Sequence, residues 1–331
     1  MRVKGNLAAD GALVLVTLIW GSTFVMAKDV LDYWPPLAYI TTRFALAAVV
    51  LVALFPQLFI RARRQEWRAG ATLGLLVAFA FAGQAVGQVY TTPSKSAFIT
   101  GLTTPLVPFV ALVLLRVRPT LENLIGVTLA SIGGVLILIP TDASVNRGDV
   151  LTLVCTALFA AHITLLSSYA RRFDVRQLTV LQITSAAIVF FFVWLAFKAC
   201  AFFLVGHPLP GVIARESVPL IFSLRVLWQI VFLAMVATVA TFLLWTWGQS
   251  RMSATHAAII FSLEPVFATI FALAVRGGKE WMGTRGALGA ALVLLGIIVS
   301  ELRLGERRES AAQGVEALEE DRDISLAEGE G

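Results

Sequence analysis

Ten stretches of this 331-residue sequence stay apolar for about the length of a bilayer crossing, and that recurrence constrains the fold more than any motif does. They run at 11–27, 37–55, 69–90, 95–116, 121–139, 149–168, 178–204, 226–247, 253–275 and 283–302. With 58% apolar and 14% charged residues and a mean hydropathy of +0.83, the chain is too hydrophobic for an ordinary soluble domain. Proline, glycine and charge clusters separate the stretches, among them Asp32-Tyr33-Trp34-Pro35-Pro36 and Arg61-Ala62-Arg63-Arg64, and the longest break runs from Gly206 to Arg225. The pattern predicts an all-α polytopic membrane protein of ten transmembrane helices, with no room for a separate soluble domain. Arg2 and Lys4 precede the first apolar stretch as in a signal peptide, but Trp20-Gly21-Ser22-Thr23-Phe24 offers no cleavage site of the A-x-A type, so the stretch reads as a retained helix.

The distribution of charge gives an orientation. Residues 305–331 hold nine acids and three bases, which leaves +11 on the first 304 residues of a chain whose total is +5. That excess reads as topology rather than nucleic-acid binding. With the N-terminus (1–10) inside, sixteen basic residues fall in inner segments and nine in outer ones, and Arg43 is left within the second helix. Both termini are then cytoplasmic, although Arg276, Lys279 and Arg285 in the last outer loop run against the rule. The acidic tail from Gly305 to Gly331 has the composition of a disordered segment. Cys155 and Cys200 both lie in apolar segments, so there is no disulfide framework and no thiolate metal site.

Shifting the chain by 160 residues exposes an internal repeat. Ala97, Pro105, Arg116, Gly126 and Ala130 then fall on Ala257, Pro265, Arg276, Gly286 and Ala290. Helix four thus resembles helix nine, and helix five resembles helix ten. Five helices per copy is an odd number, so the second copy enters the membrane inverted, which predicts two five-helix repeats at 11–139 and 140–304 around a central cavity.

The ninth stretch carries the costliest pair in the chain. Glu264 and Pro265 sit near its middle, at bilayer mid-depth. The proline gives no N–H to the carbonyl of Phe261, so a helix bend is expected here and at its repeat partner Pro105. Glu264 can bind a substrate ammonium, carry a proton, or serve packing by capping freed backbone; its partner in the first copy is the uncharged Thr104. In helix three, Gln84, Gln88 and Thr91 share a face, with Tyr90 beside it; a cavity lining and interhelical hydrogen bonding are both open to them. Helix eight has a comparable stripe of Thr238, Thr241 and Trp245. Trp20 lies past the middle of helix one, as an aromatic wall or an interface anchor, whereas Trp34 and Trp281 read as interface residues. Lys95 can attract a carboxylate or snorkel, and Arg43 reads as structurally paired. His162 and His256 stand too far apart in sequence to propose a metal; each is a buried hydrogen-bonded histidine or a proton-responsive site. The candidate binding set is therefore Trp20, Gln84, Gln88, Tyr90, Lys95, His162, Trp245, His256 and Glu264, with no cofactor and no metal.

Trp20-Gly21-Ser22-Thr23-Phe24, Ser253-Ala254-Thr255 with Glu264-Pro265-Val266-Phe267, and the glycine-studded run from Gly283 resemble the EamA-type members of the drug/metabolite transporter superfamily over residues 10–302. Within that superfamily the chain is most similar to bacterial aromatic amino-acid exporters. The resemblance implies ten helices in two inverted halves, a central cavity and export across the bacterial inner membrane. The acidic residue that members often carry after the fourth helix of each repeat is absent near Arg118, while Glu280 fills it in the second copy.

These readings point to a secondary carrier, exporter or facilitator, of small amphipathic metabolites, with aromatic and other neutral amino acids as the sharpest guess, working as a monomer or weak dimer in contact with lipid and not with nucleic acid. A nucleotide-sugar or sugar-phosphate carrier would need more cavity cations than Arg43 and Lys95. The enzyme alternative lacks H-E-x-x-H, C-x-x-C, G-x-S-x-G and any pair of mid-depth carboxylates.

Overall fold

The structure is a computed structural model, and it describes residues 7–116, 118–138, 146–170, 172–203, 211–249, 260–261 and 263–301. The acidic tail, Arg2, Lys4, Ser253-Ala254-Thr255 and His256 lie outside the described residues. The described residues are helical almost throughout, with no strand among them. In chain order the helices are α1 Leu7–Leu31, α2 Pro36–Leu54, the short α3 Pro56–Ile60, α4 Arg64–Tyr90, α5 Pro93–Gly101, α6 Thr103–Leu115, α7 Leu121–Leu138, α8 Arg147–Tyr169 and α9 Val175–Phe203. Then come α10 Gly211–Glu216, α11 Leu224–Ala234, a π-helical turn Met235–Ala240, α12 Thr241–Gln249, α13 Glu264–Arg276 and α14 Gly283–Glu301. Among the described residues seven helical stretches are long and apolar enough to cross a membrane, and Leu121–Ile137 and Gly283–Gly296 are shorter apolar helices.

Local signals set most helix starts. Pro36 and Pro93 occupy first-turn positions where a missing N–H costs nothing. Asn146 accepts from Gly148 N at 2.9 Å while Asp149 accepts from Asn146 N at 3.2 Å, a capping box that opens α8. Ser223 accepts from Val226 N at 3.2 Å and starts α11. The outward faces are apolar, with Val113 78% and Leu224 85% exposed, as a lipid-facing surface requires.

The two expected bends are breaks. α5 stops at Gly101 and α6 starts anew at Thr103, across a joint at Leu102 with φ −64° and ψ −10°. α13 starts at Glu264 after a joint at Leu263 with φ −76° and ψ −15°. Pro105 and Pro265 therefore stand in the first turn of a new half-helix, where no N–H is needed, rather than inside a continuous bent one. A different irregularity escapes sequence reading altogether: the segment read as helix eight is α11 and α12 joined by the π turn.

The packing exchanges partners between the halves. α1 packs on α12 and α13, while α8, its counterpart in the second copy, packs on α4, α5 and α6. α7 packs along α14. A Cβ on Gly133 would lie 2.5 Å from the Gly289 carbonyl oxygen, and one on Gly296 would lie 2.5 Å from that of Gly126, so only glycine permits this approach. Moving up α7 moves down α14 through these two contacts, so the helices are antiparallel, as inverted copies demand.

One end of the bundle is rich in paired charge. Here α1, α4 and α13 finish, and α2, α5, α8 and α11 begin. Lys95 Nζ lies 2.5 Å from Asp149 Oδ2, and Thr91 Oγ1 donates to Asp149 Oδ1 at 2.7 Å. Lys28 Nζ donates to the carbonyls of Gln88, Val89 and Thr91. Glu280, buried, accepts from Ser94 N at 3.3 Å and Ser94 Oγ at 3.0 Å at the start of α5. Arg276 meets Asp32 at 3.5 Å, and Asp29 holds Arg225 at 2.6 Å and Gln229 at 2.7 Å. Trp34 is not an interface anchor: it is buried and donates to the Ile221 carbonyl at 2.9 Å, covered by the segment before α11.

Candidate functional site

The two helix breaks meet at a cavity of about 150 Å³. Thr103 and Thr104 reach it from the start of α6, and Glu264 and Pro265 from the start of α13. The repeat-related pair Thr104 and Glu264 thus faces one space from the two halves. Gly21 sets the position of the second break: a Cβ there would come within 2.7 Å of Phe267 Cβ and 2.9 Å of Ala268 N, so α1 lies directly on the first turns of α13.

One wall is an aromatic box. Trp20 stacks on Phe261 with centroids 5.8 Å apart and an interplanar angle of 19°. Trp245 meets Trp20 edge-on at 5.3 Å and Phe261 at 5.7 Å, and Phe242 closes the group at 6.0 Å from Trp20. Such pairs hold their geometry through the quadrupoles of the rings. Trp20 Nε1 also donates to Thr241 Oγ1 at 3.0 Å, whereas buried Trp245 Nε1 has no acceptor among the described residues. The opposite wall carries Phe81 and Phe159, edge-on at 5.2 Å.

Polar groups interrupt these walls sparsely. Gln84 Nε2 donates to Thr100 Oγ1 at 3.2 Å. His162 Nε2 lies 2.7 Å from Gln182 Oε1, both side chains buried. Arg43, only 5% exposed, donates from Nε to Thr238 Oγ1 at 3.0 Å, from Nη1 to Tyr39 Oη at 3.2 Å and from Nη2 to the Ala237 carbonyl at 3.3 Å. Its guanidinium also lies 5.6 Å from the Phe44 ring centroid and 5.4 Å from that of Phe81. The π turn makes this possible: it presents the Ala237 carbonyl and Thr238 hydroxyl together, and Thr238 donates onward to the Leu233 carbonyl at 2.9 Å. Arg43 has no carboxylate within ion-pair distance among the described residues, and the Glu264 side chain makes no hydrogen bond or ion pair there. The described residues hold no cluster suited to a metal.

Of the residues singled out from sequence, Trp20, Gln84, His162, Trp245 and Glu264 come together on this cavity. Gln88, Tyr90 and Lys95 do not line it. Gln88 is buried one turn further on, where α4 meets the start of α8 so closely that a Cβ on Gly87 would lie 2.9 Å from the Gly148 carbonyl. Tyr90 is partly exposed at the end of α4, and Lys95 is committed to Asp149. Pro105 is buried and does not line the cavity. Arg43, read from sequence as structurally paired, does hold hydrogen bonds but also lines the cavity; its mid-helix position was the available signal. Phe81 could have been found three residues before Gln84 on the same face. Phe159, Phe242 and Phe261 had no signal beyond being aromatic.

Residues 7–139 and 147–302 each match the sequence profile of the EamA-like transporter family. The chain belongs to that family. It is 30% identical over 299 residues to an uncharacterized transporter of Archaeoglobus fulgidus, covering 90% of this chain and 87% of that one. It is 27% identical over 299 residues to the uncharacterized transporter YyaM of Bacillus subtilis, covering 86% and 90%. A crystal structure at 18% identity superposes with a TM-score of 0.58 over 91% of this chain and 98% of the other, which shows the shared fold. This EamA-like transporter is thus a multi-pass membrane protein with a family match in each half.

Proposed function

We propose that this transporter is a secondary carrier that exports small amphipathic metabolites, aromatic and other neutral amino acids foremost, by alternating access across a bacterial inner membrane. The observation that carries the reading is the aromatic box of Trp20, Phe242, Trp245 and Phe261 beside Glu264, which has no partner among the described residues, in one cavity. An engineered apolar cavity of about 150 Å³ takes up one benzene ring, so a space of this volume suits a single aromatic or branched aliphatic side chain and is too small for a nucleotide-sugar. Half-helices that meet at mid-depth are a recurrent way to build a carrier site without exposing backbone to lipid.

With both termini cytoplasmic, the end bearing Lys95–Asp149 and Glu280–Ser94 faces outward. Those contacts tie helices of the two halves together and close the cavity on that side. Substrate enters from the cytoplasmic side, and rocking of the halves separates the tied helices to release it. The carrier works as a monomer or weak dimer. Proteoliposomes containing the purified protein should take up labelled phenylalanine several times faster than protein-free vesicles. Equal rates would end the amino-acid reading.

A further inference from the structure

We infer that Arg43 and Glu264 form the two poles of a zwitterion clamp, Arg43 receiving a substrate carboxylate and Glu264 a substrate ammonium. The inference rests on the carrier reading above and specifies how that site recognises its substrate. The two residues project from different helices, α2 and the first turn of α13, into one cavity, and they are not within ion-pair distance of each other. Among the described residues neither has a counter-ion. An ion held out of water without an opposite charge costs several kcal/mol, and a ligand that supplies the missing charge recovers part of it.

The hydrogen bonding of Arg43 leaves room for that ligand. A guanidinium has five N–H donors, and Thr238, Tyr39 and Ala237 occupy one each on Nε, Nη1 and Nη2. Among the described residues one N–H on each terminal nitrogen remains without an acceptor, the number a carboxylate takes in a two-point contact. The three occupied donors and the Phe44 and Phe81 rings fix the plane of the guanidinium, so the free pair is oriented before binding. Glu264 differs in kind. Its carboxyl has no donor from any described residue, and it lies beside the Trp20–Phe261 stack. The side chain of a neutral amino acid then enters the aromatic box while its two charged groups meet opposite poles. A bound molecule with only one charge leaves the other pole unpaired.

Three probes that share a phenyl ring separate the poles: phenylalanine, 3-phenylpropionate without the ammonium, and 2-phenylethylamine without the carboxylate. Binding is measured calorimetrically on the full chain in nanodiscs. Wild-type protein should bind phenylalanine at least about tenfold tighter than either analogue, the scale of one charged hydrogen bond. In Glu264→Gln the advantage over phenylpropionate should collapse to within about threefold while the advantage over phenylethylamine persists. In Arg43→Gln the pattern should invert. Because Arg43 also ties α2 to the π turn, Arg43→Lys is measured beside it. Lysine keeps the charge and loses the two-point geometry, so the preference over phenylethylamine should fall by a smaller factor with the other ratio unmoved. If wild type binds none of the probes, the amino-acid reading fails. If it binds phenylalanine and both ratios are the same in every variant, that reading stands and the clamp is wrong.

Discussion

The two charged regions of this molecule follow opposite rules. At the outward-assigned end, Asp149 is met by Lys95, Thr91 and Asn146, Glu280 by Ser94, and Lys28 by three carbonyls. In the cavity, among the described residues, Arg43 has three neutral partners and Glu264 has none. Both regions are largely out of water, so the difference is not one of burial. The Lys95–Asp149 ion pair and the hydrogen bonds of Lys28 and Glu280 hold helices together, whereas among the described residues Glu264 accepts no hydrogen bond and Arg43 keeps unused donors, which leaves both available to something that comes and goes. The first region should be sensitive in stability and the second in binding.

The largest effect should come from breaking the satisfied region. Asp149→Asn leaves Lys95 without its counter-ion and Thr91 with a weaker acceptor. Lys95 retains some solvent contact, at 16% side-chain exposure, so the loss should be about 2–3 kcal/mol rather than the full cost of an orphaned ion. Chemical unfolding in detergent measures it, and adding Lys95→Met should restore much of the loss. A variant as stable as wild type would mean the pair contributes nothing to closure.

Glu264→Gln tests the other side of the contrast. The amide is nearly isosteric, and no partner among the described residues is lost, so unfolding free energy should stay within about 0.5 kcal/mol of wild type. Phenylalanine transport should nevertheless fall about tenfold, equivalent to 1.4 kcal/mol of lost substrate interaction. A variant that unfolds readily while its surviving fraction transports normally would reverse the assignment of the two regions.

Within the cavity, the rings and the charges should also separate. Trp20→Ala removes the stacking partner of Phe261, and aromatic pairs contribute about 0.5–1.5 kcal/mol beyond the area they bury. Phenylalanine binding should weaken three- to tenfold more than leucine binding. Equal losses for the two would make Trp20 a packing residue, a role its hydrogen bond to Thr241 would then explain.

What the sequence made legible, and what it hid, follows the same physical division. Helix positions were legible because their signals are local: the apolar length of 178–204 anticipates Val175–Phe203, and the proline before Leu37 anticipates the start of α2. The paired prolines marked both breaks, because a missing N–H is a property of one residue. Counter-ions are not local. Lys95 resembled a binding residue because nothing near it in sequence shows that Asp149, 54 residues on, would take its charge. Arg43 resembled a structurally paired residue for the converse reason, since nothing shows that its partners, 194 and 195 residues away, would be neutral. Gln84 and Gln88 share a helix face, yet only the first reaches the cavity, because the close approach of α4 to α8 at Gly87 covers the second. Periodicity assigns a face, and tertiary packing decides how far along that face the cavity extends.

Glu216 stands between the two rules and gives the smallest expected effect. It lies outside the membrane-spanning helices, at the end of α10. Its Oε1 accepts from Leu37 N at 2.8 Å, capping α2, while Oε2 is buried without a partner. Burial raises its pKa above the ordinary 4.5, opposed by the Leu37 and Ala38 N–H groups and by Lys198, and burial prevails. The folded form then holds its proton more readily than the unfolded form. This contribution to stability is fully present below the unfolded value of 4.5 and is lost as pH rises through the higher folded value. Lowering pH from 8 toward 5 should therefore raise the melting temperature of wild type relative to Glu216→Gln by about 1–2 °C, the scale of a few tenths of a kcal/mol. Because every other titrating group is shared, the difference between the two curves isolates this one carboxyl. Parallel curves would place Glu216 with the fully satisfied charges of the closed end, its second oxygen hydrated rather than orphaned.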